Sequence, residues 1–399
     1  MATTFVTGSS LVPAFAVREA LALVVVGSVM GAALVAALAP VGPRLGVPSV
    51  VAARAALGVR GAGALALVLY VTNFAWIALN NVIAASACAQ GFGPPGSERA
   101  WAVLLGLAAT AVVALGPRAV GLADRVAVPL MAGTGVFLAW RLLHVPGRFL
   151  DAPGRGGMSP WVGLDIVVGY QVSWILMFAD YSRYTPSARK GALAVFLGLS
   201  LTSLWLMSTG ALLSAASGAA DPSQLLAGAG LGPVEAGLLA LATVTTNFVN
   251  IYLSALAWKS LFPRARDRAS VWSIGLVGAA LSLFSRDWLV RYGDFMLVLG
   301  SVLVPAGGVL LARFLILREP VDVASLYDES GPHRGFSAAG MAAWVLGAIA
   351  YHAAGRYGST LPSLGVAVLG YLAFRAFGRR RSSGHSPGAA ASASTSSTP

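Results

Sequence analysis

Charge is what this chain has least of. Only 11% of its 399 residues are Asp, Glu, Lys or Arg, while 57% are hydrophobic and the mean hydropathy is +0.76. A soluble domain carries about 25% charged residues, so an ordinary soluble fold is excluded. Cysteine is nearly absent as well. The single Cys88 rules out a disulfide within one chain and reads as a small helix-packing residue. The four histidines, His144, His333, His352 and His385, lie near the ends of apolar runs, in loops or in the tail. The carboxylates nearest the apolar interior, Asp165, Asp180 and Glu235, also sit toward run ends. No His-x-x-x-His, paired acids or Ser-Lys dyad occurs at one depth, so an integral-membrane enzyme would lack a catalytic cluster.

What is present is a succession of long apolar runs separated by short, arginine-bearing loops. A membrane helix needs roughly 20 apolar residues to cross. Residues 2–17, 20–40, 63–89, 100–115, 126–143, 161–178, 191–216, 232–258, 270–284, 295–316, 338–354 and 361–377 are such runs, about 12 in all. They predict an all-α polytopic membrane protein with one transmembrane domain over residues 1–377. Residues 378–399 begin basic and turn rich in Ser, Ala, Gly and Pro, which predicts a disordered tail.

The net charge of +12 is a matter of topology. With the C-terminus cytoplasmic and the runs alternating, nineteen of the 27 Lys and Arg fall on the cytoplasmic side. This is the positive-inside bias, and it predicts a multi-pass protein of the cell membrane touching anionic lipids. It leaves no reason to invoke a nucleic-acid partner, and nothing points to an obligate protein partner.

Polar groups at mid-bilayer depth are costly unless partnered or hydrated, so they are the place to look for function. The third run centres on Trp76, with Asn73, Asn80 and Asn81 around it. The sixth centres on Gln171 and Ser173 beside Trp174, and the eighth on Thr245, Thr246 and Asn247, with Asn250 one turn on. A single Asn in a membrane helix is usually packing glue; three runs with polar centres at one depth predict a shared site. No Lys or Arg lies near any midpoint. Amides, hydroxyls and indoles without charge suit a flat, neutral molecule with several donors and acceptors. An amino-acid carrier would need to accommodate a carboxylate and an amine. For coupling, sodium needs only oxygens, which Thr245 and Thr246 offer, whereas a proton needs a titratable group. Sodium is therefore favoured over a proton, though both hydroxyls can also bond back to their own helix. No cofactor is expected.

Three stretches carry a family resemblance. They are SWILMFADYSRYTPS (173–187), ILREPVDVASLYDESGPHRGFSAAGMAAWVLG (316–347) and LGVPSVVAARAALGVRG (45–61). Each resembles a segment of the nucleobase:cation symporter-1 family, the cytosine–purine–uracil–thiamine–allantoin permeases, and order and spacing agree over nearly the whole chain. The resemblance implies a secondary transporter, not an enzyme, that imports a neutral nucleobase or related heterocycle such as a thiamine precursor, allantoin or hydantoin. It implies a LeuT-like fold of two inverted five-helix repeats with two added C-terminal helices. Helices one and six would be interrupted mid-membrane, with substrate between them and helices three and eight. Carried over, Asn73 and Trp76 match the third-helix amide and aromatic positions, where cytosine permeases carry Gln for the amide. Trp174 matches the sixth-helix Trp of the purine and pyrimidine branches. The hydantoin branch has its indole three residues earlier, where this chain has Gln171. Ala242, Thr245 and Thr246 match the eighth-helix sodium ligands of the hydantoin branch. Asn247 or Asn250 would hold the substrate amide position, and the spacing leaves both open.

Asp180 and Arg183 stand three residues apart at the cytoplasmic end of the sixth run, just before Pro186. They predict either a local ion pair closing the helix or part of an inner gate. The first run has about 17 residues before Arg18, short of the roughly 20 a span needs, and the resemblance puts Gly8 near the break in helix one. A first helix lacking its inner half, with an upstream extension of roughly 20–40 residues by the same span arithmetic, is the expectation.

Overall fold

The structure, a computed structural model, describes residues 2–94, 96–143, 150, 153–218, 233–262, 264–284, 292–328 and 330–383. Helix occupies every apolar run. Among the described residues, eight helices are long and apolar enough to cross a membrane. Large side chains such as Val25, Val26, Leu67, Leu104, Leu201 and Val298 face outward, as a lipid-facing surface requires.

The first run is interrupted beside Gly8, where the resemblance puts the break. Helix α1 (Ala2–Ser9) stops halfway, and α2 (Val17–Leu38) begins only after a series of turns. Ser9 and Ser10 donate their hydroxyls to the carbonyls of Val6 and Thr7, both at 2.8 Å, and Pro13 has no N–H with which to continue the ladder. A short α3 (Val41–Leu45) then leads to α4 (Ser49–Phe92).

Helix α4 is two helices in one. Gly58, at φ 80° and ψ 167°, separates an arm of residues 49–57 from the long segment that follows. Only glycine adopts that conformation readily, and a Cβ there would lie 2.5 Å from the Gly335 carbonyl oxygen. The arm is laced to the loop of residues 318–337. Val59 and Arg60 donate their N–H groups to the carbonyls of His333 and Gly335, and Ser337 donates to Leu57, each at 2.8 Å. Arg54 donates to the Leu326 carbonyl at 2.9 Å, and its guanidinium stands 5.8 Å from the Tyr327 ring centroid. Two of the three family-like stretches are thus one packed unit.

Next come α5 (Glu98–Ala114) and α6 (Pro117–Leu143). The sixth run starts as α7 (Pro160–Val172), with Pro160 in the first turn and the Ser159 hydroxyl accepting from Val162 N–H at 3.3 Å. It does not continue as one helix. A 3-10 turn (Ile175–Met177) separates it from α8 (Phe178–Ser182). At the break the Ser173 hydroxyl donates to the Tyr170 carbonyl at 2.7 Å, and Trp174 N–H reaches Gln171 at 3.1 Å. The remaining helices are α9 (Ala188–Ser217), α10 (Pro233–Leu261), α11 (Asp267–Leu281), α12 (Tyr292–Leu311), α13 (Ala338–Ala353) and α14 (Thr360–Ser383). The last runs six residues beyond the expected end of the domain at 377, and residues 384–399 of the tail lie outside the described residues, as do His144 and His385.

Packing pairs runs that lie five apart: α4 with α10, α2 with α9, and α5 with α11. One apolar core joins α4, α5, α10 and α11, a second joins the turns after α1 to α2, α7 and α9, and the largest runs between α2, α4, α7, α8 and α12 to α14. Such pairing is what two five-run halves produce when they interlock.

Candidate functional site

A cleft of about 170 Å³ opens where the arm, α4, α8 and α10 meet, lined by Pro48, Val50, Val51, Leu69, Asn73, Leu176, Met177, Asp180, Leu253, Leu256, Ala257 and Lys259. It begins beside the helix break in the sixth run and ends among charged groups. Of the substrate residues expected from sequence, Asn73 lines it. Asn73 is buried, yet among the described residues its amide makes no hydrogen bond. A buried polar group ordinarily has a partner, so an unpartnered amide in a cleft is equipped for a ligand.

The other amides are engaged. Asn247 donates to the Ile77 carbonyl at 3.1 Å and to Asn81 Oδ1 at 2.7 Å, and its own Oδ1 accepts from Asn250 at 3.2 Å. Asn81 donates onward to Ser282 Oγ at 3.0 Å, and Asn80 donates to Trp76 O at 2.9 Å. This chain of bonds ties α4 to α10 and to the end of α11, and it occupies three of the four bonding positions of the Asn247 amide.

Trp76 is half-buried and meets Phe295 edge to face, with ring centroids 5.2 Å apart. Trp174 is half-buried at the helix break. Gln171 is fully buried; its Nε2 reaches the Leu199 carbonyl at 3.3 Å, its Oε1 has no partner, and it packs against Gly31 of α2. Ser173 spends its hydroxyl on its own helix.

Thr245 and Thr246 both donate to the Ala242 carbonyl, at 3.0 and 3.1 Å. The three residues therefore gather three oxygens on one turn of α10. An uncharged, all-oxygen donor set of this kind is what a hard cation takes. Among the described residues no group of three His, Cys, Asp or Glu could hold a metal.

Asp180 and Arg183 do not pair. Arg183 donates to the Tyr184 hydroxyl at 2.7 Å, with its guanidinium 4.7 Å from that ring. Asp180 instead accepts from Ser49 N–H at 3.3 Å, while Ser49 Oγ accepts from Ala179 N–H at 2.9 Å. The carboxylate faces the positive end of the arm helix, a partner more than 130 residues distant that local spacing could not reveal. Asp165 does likewise at the opposite end of the sixth run, accepting from Thr360 N–H at 2.6 Å where α14 begins. The Glu235 side chain lies outside the described residues. Sequence reasoning overlooked Ser49 and Lys259. The Pro-Ser pair at a helix start was the available signal for the first, and a lysine ending the eighth run for the second.

On the arm side, Glu319 receives two guanidinium groups. Arg375 Nη2 lies 2.8 Å from both carboxylate oxygens, and the buried Arg313 lies 2.6 Å from Oε2. Burial, with Arg313 and Arg375 nearby, holds His333 below the usual imidazole range. In the same loop, bonds from Ser330 hold the exposed Asp328 carboxyl below its usual range.

A multi-pass helical bundle with an interrupted helix beside a cleft that carries one free amide defines a membrane carrier. The chain belongs to the family of permeases for cytosine/purines, uracil, thiamine and allantoin, whose profile matches residues 1–374; it is a transporter and not an enzyme. It is similar to the cytosine permease of Escherichia coli strain K12, 25% identical over 315 residues, which covers 78% of this chain and 74% of that one. Its fold is that of Mhp1, a nucleobase-cation-symport-1 family transporter solved closed with bromovinylhydantoin bound, with TM-score 0.81 and 20% identity over 95% of this chain and 90% of Mhp1. The inward-facing conformation of Mhp1 fits almost equally, with TM-score 0.80 and 18% identity over 96% and 88% of the two chains.

Proposed function

We propose that this permease imports a neutral nucleobase or related heterocycle, of the cytosine or purine kind, by cation-coupled alternating access through the cleft at Asn73. The free Asn73 amide in a cleft without a mid-membrane charge carries this reading. At about 170 Å³ the cleft is smaller than the roughly 300–1,000 Å³ of pockets for drug-sized ligands, which suits a molecule of one or two rings. Trp76 and Trp174 are both half-buried outside the cleft lining, and in this reading they are the rings on which such a molecule would stack. Gln171, Ser173, Asn247 and Asn250 do not line the cleft, and in this reading they act on the substrate only by supporting its surroundings. Ala242, Thr245 and Thr246 would hold sodium as the coupling ion, and a proton is the alternative. The arm and its basic loop face the cytoplasm of the cell membrane, as does the C-terminus. A single domain extends to about residue 377, and residues beyond form a cytoplasmic tail.

Uptake of a labelled base into vesicles, competed with unlabelled cytosine, purines, uracil, thiamine precursors, allantoin, hydantoins and amino acids, tests the reading. Competition confined to neutral heterocycles is the expected outcome. Competition by amino acids alone would replace it with an amino-acid carrier of the same fold.

A further inference from the structure

The cleft ends between two opposite charges that the transport reading leaves without a task. Asp180, on α8, lines it from one side. Its carboxylate is held by Ser49, through the 3.3 Å contact from that residue's N–H and through its side chain, and no ion pair to it is found among the described residues. Lys259, near the end of α10, lines the same cleft. Lys259 is held at 2.6 Å by Asp267 at the start of α11, and both side chains are exposed, at 49% and 74%. An exposed pair of this kind contributes little in high dielectric and is readily exchanged. Helix α8 is a five-residue segment beyond the helix break, attached to α7 through a 3-10 turn, so it can shift without moving the whole sixth run.

We propose that Lys259 is the gating cation of this cleft, exchanging Asp267 for Asp180 when the cytoplasmic mouth shuts. As α8 approaches α10, water leaves the mouth and the Asp180–Lys259 attraction grows with the fall in local dielectric. In the open arrangement, Asp267 keeps Lys259 out of the passage. Arg183 is near enough to attract the Asp180 charge, but its guanidinium is turned onto Tyr184 and makes no ion pair with the carboxylate. The exchange links the mouth to the rigid unit of arm and loop, since Asp180 also touches the first residue of the arm.

This inference rests on reading the cleft as the transport passage, so its test uses no substrate. Cys88 is buried; replacing it with Ala and introducing Leu256→Cys puts a single thiol in the cleft. Its rate of labelling by a membrane-impermeant maleimide in inside-out vesicles reports how often the mouth is open. Asp267→Asn, which frees Lys259, should slow labelling several-fold. Asp180→Asn keeps an acceptor for Ser49 N–H but removes the charge, and should speed labelling, as should Lys259→Gln. The decisive comparison is the Asp180→Asn/Asp267→Asn double variant, in which the slowing should vanish. Equal slowing with and without the Asp180 charge overturns the proposal, as do unchanged rates in variants inserted at parental levels. Failure of heterocycle uptake with the labelling response intact would instead count against the proposed substrate alone.

Discussion

Asn73 and Asn247 are buried amides at similar depth, and their bonds give them different duties. Asn73 faces the cleft without a partner, whereas Asn247 holds Ile77, Asn81 and Asn250. If the proposed site is right, replacing Asn73 with Leu removes a hydrogen bond to substrate worth about 0.5–1.5 kcal/mol, or roughly two- to tenfold in affinity. Competition uptake should show that loss while thermal stability in detergent stays near the parent's. Asn247→Ala strands the carbonyl and amides around it, at a cost of about 1–3 kcal/mol per unsatisfied group. It should lower the melting temperature, and a variant of full stability with weakened uptake would reverse the two assignments. From sequence these residues were indistinguishable, because both are Asn at a run centre. Only their neighbours separate them.

At the scale of elements, two breaks matter. Gly58 lets the chain kink between the arm and the long segment, where Val59 and Arg60 bond the loop at His333 and Gly335. Gly58→Ala would place a Cβ 2.5 Å from a carbonyl oxygen in a left-handed conformation. A cost of about 1–3 kcal/mol is expected for such strain, read as a lower melting temperature and faster proteolysis of the 318–337 loop. The other element is the turn of α10 that carries Ala242, Thr245 and Thr246. Thr245→Val with Thr246→Val removes two oxygens at nearly constant volume. Uptake should lose its sodium dependence while the protein remains folded; sodium-independent, proton-driven uptake by the parent would refute that assignment. The sixth run showed its polar end plainly in sequence. That Asp180 caps a different helix was not legible, because Ser49 is remote in the chain.

Across the whole molecule, the arm, the loop and the last helix are joined by a compact electrostatic cluster. Glu319 is shared by Arg313 and Arg375, and removing its charge by Glu319→Gln would take the carboxylate away from the buried Arg313 guanidinium. Breaking such a pair costs about 3–5 kcal/mol, which a thermal-shift measurement would detect. His333 adds a pH dependence of known sign. Its folded-state pKa lies below the ordinary value of 6.5, so the unfolded chain binds a proton more readily. The stability it contributes is present above about pH 6.5 and is lost as pH falls through the lower folded value. Melting temperatures recorded from pH 7 downward should therefore decline, and His333→Gln should flatten that decline.

The sequence by itself determined that this is a helical membrane protein, where its apolar runs lie, and which family it joins. Those are properties of composition, periodicity and local motif, since lipid solubility of a run depends only on residues within it. It also singled out Asn73, Gln171, Thr245 and Asn247 as polar residues at the centres of apolar runs. Tertiary structure decided which of those groups remain available, because a hydrogen-bonding position is spent by whichever partner comes near in space. Thus Asn247 was spent on α4, Asp180 on the arm, and Arg183 on Tyr184. It also joined two distant motifs through Gly58. Contacts across hundreds of residues depend on how helices pack, and packing is a property of the assembled surfaces rather than of any one stretch.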